Sequence, residues 1–162
     1  MVLLTKHGNI LNCSESVILH QCNCVSTKPV GLANSIFNKY PYANIYKNRI
    51  EEYYTPKELG LYTPGTIIVS YGHKIIINLF GQLNPGKPNI IETSNKRQAY
   101  FLKGLKDIDA WLIDHPEIKS IAVPYKIGCG MAGGNWETYS SYLQCFADDH
   151  PNIDIVIYQL TP

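Results

Sequence analysis

Apolar positions along the chain follow two periods, and the switches between them mark out alternating strands and helices. Short, almost uninterrupted apolar runs at 2–6 ("VLLTK"), 16–23 ("SVILHQCN"), 118–125 ("IKSIAVPY") and 152–160 ("NIDIVIYQL") predict strands. The run at 118–125 suits a strand covered on both faces. Two β-rich runs, 65–72 and 73–81, meet at Tyr71-Gly72 and predict a hairpin. Helical spacing governs 31–54, where Ile36, Phe37 and Tyr40 share one side and Pro41 forces a break. It governs 92–116 as well, with a Thr or Ser cap at the start and Tyr100, Leu105, Ile108 and Leu112 at helical intervals. A last helix is predicted over 135–150, and 82–90 reads as a loop. Strands alternating with helices predict an α/β fold with a mixed, mostly parallel sheet between helical layers.

In such sheets, ligands sit beyond the carboxyl ends of the strands. That rule nominates three loops: those following "HQCN", "INLF" and "IAVP". The third contains "IGCGMAGGNW" (127–136), with Gly128, Gly130, Gly133 and Gly134 just ahead of a helix. Glycine disfavours ordered structure, so such a cluster either packs a tight turn or brings backbone N–H groups close to an anion. No Lys-Ser or Lys-Thr follows it, which excludes a Walker loop. Asn135 stands where a cysteine phosphatase would place an arginine relative to Cys129, so Cys129 reads as a packing residue and not a nucleophile.

The chain has 162 residues, 45% hydrophobic and 17% charged, which predicts one folded domain over 1–162. Its net charge of +1, without a basic block, argues against an extended nucleic-acid surface. No run reaches the ~20 apolar residues of a membrane span and no secretory signal is evident, so a cytoplasmic protein is expected. Five cysteines without framework spacing read as reduced thiols. His20, Cys22 and Cys24 could share a strand face, but they lack a fourth ligand, so no metal or cofactor is expected.

Several segments in register resemble the macrodomain family of ADP-ribose-binding modules. They are "GNIL" (8–11) and "ILHQCNC" (18–24); "GLA" (31–33) with "YP" (40–41); "NLFGQ" (78–82) with "IGCGMAGGNW"; and "VIYQL" (156–160). The N-terminal third is similar to the fungal-type ADP-ribose-1″-phosphate phosphatases, and "NLFGQ" with "IGCGMAGGNW" is similar to phage- and bacterium-type relatives of the same branch. The resemblance implies a three-layer α/β/α sandwich and, as ligand, ADP-ribose, ADP-ribose 1″-phosphate or an ADP-ribosylated macromolecule. It places Asn9 and Ile10 at the adenine with Leu160 nearby, and Asn23 at the distal ribose. Gly31, Leu32 and Ala33 fall on the loop around that ribose and the diphosphate. The run Gly128, Cys129, Gly130, Met131 and Ala132 falls on the second phosphate loop, with the following helix adding its dipole. "TKPVGLA" carries one glycine where many relatives carry three. Gln82 and Ala132 occupy the lysine and aspartate positions of the deacylating branch, and antitoxin-type DNA ADP-ribosyl glycohydrolases share that lysine, which disfavours both. His20 stands where the fungal-type phosphatases carry a functional histidine. The leading expectation is therefore a phosphatase acting on ADP-ribose 1″-phosphate with His20 as catalytic acid–base. A non-catalytic reader and an ADP-ribosyl hydrolase are the alternatives.

Overall fold

The apolar runs at 16–23, 118–125 and 152–160, together with the β-rich run at 73–81, become the four central strands of one sheet in the computed structural model, which describes residues 3–51 and 62–160. The elements in chain order are β1 (Leu3–His7), β2 (Val17–Asn23), α1 (Gly31–Lys39), α2 (Ile45–Glu51), β3 (Ile67–Ser70), β4 (Ile75–Gln82), α3 (Ser94–Ile113), β5 (Ser120–Pro124), α4 (Trp136–Asp149) and β6 (Asp154–Gln159). The sheet order is β1-β6-β5-β2-β4-β3, and all pairings are parallel except the β3/β4 hairpin. The less buried β1 and β3 form the two edges.

Alternation along β2 divides the core. Val17 and Leu19 face a layer built by α3 and α4, where they meet Phe101, Ile108 and Leu143. Ile18 and Cys22 face the opposite layer, formed by Ile36 and Phe37 of α1 with Tyr46 of α2. The result is the expected sandwich, with apolar surface of both sheet faces removed from water.

Helix limits follow local chemistry. Thr93 caps α3 by accepting from the Lys96 N–H, and Asn135 caps α4 by accepting from the Thr138 N–H. The expected helix over 31–54 divides around a 3-10 turn at Pro41–Ala43, because proline cannot continue the first helix; residues 52–54 lie outside the described residues, as does Val2. A second 3-10 turn, Ile10–Asn12, lies within the link between β1 and β2. On α3 the buried face runs through Arg97, Phe101, Leu105, Ile108 and Leu112, so Phe101, and not Tyr100, points inward. Between β2 and β4 the register slips at Cys22/Asn23, leaving Gly81 as an extra residue. A Cβ on Gly81 would sit 2.1 Å from Gln21 Oε1, so the bulge makes room for the Gln21 amide.

A candidate anion-binding cleft at the strand ends

The carboxyl ends of β2, β4 and β5 open into a cleft of about 440 Å³. One wall is the loop after β2 with the first turn of α1, and the other is the loop after β5 from Pro124 to Ala132. Of the residues nominated from sequence, His20, Asn23, Gly31, Leu32, Ala33, Gln82 and Gly128 through Ala132 all line it. Asn9, Ile10 and Leu160 do not. They lie past the ends of β1 and β6, where the Gly8 N–H donates to Gln159 O at 2.9 Å. Asn9 there caps the 3-10 turn by accepting from the Leu11 N–H. Ile10 is buried and Leu160 is exposed.

Backbone donors dominate the lining. Val30 offers no side-chain oxygen to α1, so the first-turn N–H groups of that helix are uncapped at the cleft. In the opposite loop the N–H groups of Gly128, Gly130, Met131 and Ala132 donate to none of the described residues. The dipole at the cleft therefore comes from α1; α4, expected to supply it, has its own Asn135 cap and does not line the cleft. The glycines divide the work. A Cβ on Gly128 would press on the Tyr139 ring at 2.7 Å, and one on Gly134 would meet Gly128 O at 2.5 Å, so both serve packing. A Cβ on Gly130 would meet nothing within 4 Å, which leaves its backbone open to a ligand. Met131 reaches across to Gly31, where its Cε lies 3.5 Å from the position of a Cβ, and the two loops meet there over the cleft.

Among the described residues Lys28 and Lys126 are the charged members of the lining, with no carboxylate beside them. Lys126 holds a φ of +63°, a strained conformation for a side chain with a Cβ. Lysines and amides that lack partners among the described residues are groups whose chemistry favours an anion.

The floor is polar and closed. His20 is 1% exposed and packs edge-on to Phe37. Asn78 Nδ2 donates to the Ile68 carbonyl at 3.0 Å, which turns its Oδ1 toward His20. His20 Nε2–H then donates to that oxygen at 2.8 Å, leaving Nδ1 as the unprotonated nitrogen. Burial pulls the imidazole down from 6.5 to about 4, only partly offset by the Asn78 bond, so the ring is neutral near pH 7. Burial also raises the thiols of Cys22 and Cys129, the latter to about 11, so neither is a thiolate near neutrality. Among the described residues no group of three His, Cys, Asp or Glu side chains could hold a metal ion.

Asn23 Oδ1 accepts from the N–H groups of Val25 and Ser26 at 3.0 and 2.8 Å, fixing the turn out of β2. Buried Arg49 holds the same turn from behind through the carbonyls of Asn23 (2.5 Å) and Ser26 (2.7 Å), with its guanidinium 4.5 Å from the centre of the Tyr46 ring. Gln21, Lys28 and Tyr46 also line the cleft without having been nominated from sequence. Only Gln21, one residue from His20 in the matched "ILHQCNC", carried a signal that could have exposed it.

No family model matches the chain. It is 28% identical over 157 residues to proteins named DNA ADP-ribosyl glycohydrolase from Mycobacterium bovis and Mycobacterium tuberculosis. The match covers 93% of this chain and 40% of theirs, so the chain spans less than half the length of these curated relatives. The likeness thus runs to the class that the missing lysine at Gln82 argued against. Among solved structures, the macrodomain of Mycobacterium tuberculosis DarG superposes with a TM-score of 0.77 at 24% identity, covering 98% of each chain. The macrodomain of Thermus aquaticus DarG gives 0.72 at 21% identity over 97% of each. Thermosipho africanus DarTG in complex with ADP-ribose gives 0.70 at 14% identity, over 98% of this chain and 42% of that one. Sheet order, layers and these superpositions agree: the chain has the macrodomain fold.

Proposed function

We propose that the cleft binds the ADP-ribosyl group. The observation that carries this reading is the pairing of two amide sets without partners among the described residues, the first turn of α1 and those of Gly128, Gly130, Met131 and Ala132, around a space whose described lining has two lysines and no carboxylate. A diphosphate fits that charge and donor pattern, since backbone amides and a helix N-terminus favour anions without side-chain bulk. In this reading the distal ribose lies toward Asn23 and Gln82, and the adenine reaches the edge formed by Asn9, Ile10 and Leu160. A ligand that binds only the folded state stabilises it, so ADP-ribose raises the melting temperature in proportion to the logarithm of its concentration. No shift at millimolar ADP-ribose would refute the reading.

Hydrolysis at C1″ of the bound ribose is the second part of the proposal, and its two versions differ in the leaving group. The 28% likeness to DNA ADP-ribosyl glycohydrolases favours a macromolecular leaving group. His20 lies at the cleft floor, which favours phosphate release, whereas its burial and low basicity count against the imidazole as proton acceptor. Parent and His20→Ala are compared for phosphate release from ADP-ribose 1″-phosphate and for ADP-ribose release from ADP-ribosylated DNA. Phosphate release that falls ~10²-fold or more in the variant, with affinity kept, supports the phosphatase. ADP-ribose release from DNA alone supports the glycohydrolase, and neither product leaves a reader.

A further inference from the structure

Arg97 stands in the first turn of α3 but is only 2% exposed, and it is absent from every motif that marks the cleft. Its Nη1 donates to the carbonyls of Gly86 (2.5 Å) and Ala132 (3.0 Å). Its Nη2 donates to the Asn84 carbonyl at 3.1 Å and to Glu92 Oε1 at 3.0 Å. One side chain therefore ties the loop after β4 to the glycine-rich loop after β5, and both loops line the cleft. Glu92 completes the clamp by accepting from the N–H groups of Leu83 and Asn84.

The Asn84 carbonyl held by Arg97 also sets a sense of direction. A carbonyl can only accept, so Gln82 turns Nε2 toward it at 2.8 Å and leaves Oε1 facing Gln21. Gln21 answers with Nε2 at 2.8 Å. Its own Oε1 is then driven the other way, into buried space beside Gly81 and Gly128, where it finds no partner among the described residues. An unpaired buried acceptor costs stability.

We infer that Arg97 is a positioning residue: it sets the donor–acceptor direction of the Gln82–Gln21 amide pair through the Asn84 carbonyl and holds the glycine-rich loop in place through the Ala132 carbonyl. Its ligand readout rests on the ADP-ribose reading. Lysine is no substitute, because one compact ammonium with three N–H groups cannot serve four acceptors drawn from two loops and a carboxylate.

The test compares parent, Arg97→Lys, Glu92→Gln, Gln82→Ala and the Arg97→Lys/Gln82→Ala double variant by calorimetric titration with ADP-ribose and with AMP, which lacks the distal half. The expected result for Arg97→Lys is an ADP-ribose affinity reduced at least tenfold and an AMP affinity changed less than threefold. Adding Gln82→Ala should then cost little more, since the two residues act in one chain. Equal losses for both ligands, or losses that add in the double variant, would reduce Arg97 to a stability role and overturn the inference. A second readout needs no ligand: the side-chain NH₂ resonances of Gln21 and Gln82 should move to solvent-exposed positions in Arg97→Lys while backbone amides stay dispersed. If the parent fails to bind ADP-ribose, the functional reading falls and these resonances decide the role of Arg97. If Arg97→Lys does not fold, Glu92→Gln is expected to give the same pattern. Unmoved glutamine resonances in a folded variant would overturn the inference.

Discussion

Replacing His20 with glutamine should remove most of one acid-sensitive component of stability. The imidazole is neutral in the fold because burial lowers it to about 4, whereas in the unfolded chain it titrates near 6.5. Between those values the unfolded state takes up a proton that the folded state refuses, so stability falls as pH drops through that window. At about 1.4 kcal/mol per tenfold change, the full window corresponds to roughly 3 kcal/mol, of which about 2 kcal/mol is lost by pH 4.5. Glutamine keeps an N–H for Asn78 Oδ1 but cannot titrate, so His20→Gln lacks this slope whatever its absolute stability. Glu15 and Glu92 contribute an acid-linked loss of their own. Burial alone would raise both, but Tyr158 at Glu15 and Arg97 with the loop N–H groups at Glu92 hold them low, and that loss is common to parent and variant. Urea unfolding at pH 7.0 and 4.5 measures the difference. A parent and a variant that lose equal stability between those pH values would refute the neutral, desolvated imidazole.

Gly128→Ala should cost about 2 kcal/mol, because a φ of +74° and contact with the Tyr139 ring both resist a Cβ, whereas Gly130→Ala should unfold like the parent. Thermal melts of the two variants settle that contrast. Asn135→Ala removes the α4 cap and should lower stability by about 1 kcal/mol, with ADP-ribose affinity unchanged because that helix end lies off the cleft. A binding loss in Asn135→Ala beyond twofold would return α4 to the site. Lys28→Gln and Lys126→Gln should each weaken ADP-ribose several-fold in low salt and much less at 0.5 M salt, as expected for screened, exposed charges. Titrations at the two ionic strengths check this, and losses that ignore salt would contradict an electrostatic role.

The sheet was legible because its central strands are largely buried on both faces, so their apolar runs are long, and because turn and cap residues such as Tyr71-Gly72, Thr93 and Asn135 act locally. His20 and Asn23 posed a geometric difficulty, since strict alternation puts them on opposite faces. The register slip at Gly81 falls between Cys22 and Asn23, and both residues line the cleft; a two-residue periodicity cannot register a bulge on a neighbouring strand. The source of the helix dipole was misplaced because glycines just before α4 draw attention, whereas the uncapped start of α1 is signalled only by a missing polar residue at Val30. Arg97 and Arg49 escaped notice for a different reason. Each acts on main-chain carbonyls distant in sequence, and carbonyls carry no sequence signature.

The claim that the glycine-rich loop and α1 cradle a diphosphate is tested most directly by calorimetric titration of parent and Gly130→Glu with ADP-ribose. Gly130 has open space and an N–H with no partner among the described residues, so glutamate leaves the fold intact while placing bulk and negative charge against the anion. The prediction is one-to-one binding by the parent and none by a folded Gly130→Glu. Undiminished binding by the variant, or no heat and no saturation with the parent, would contradict it.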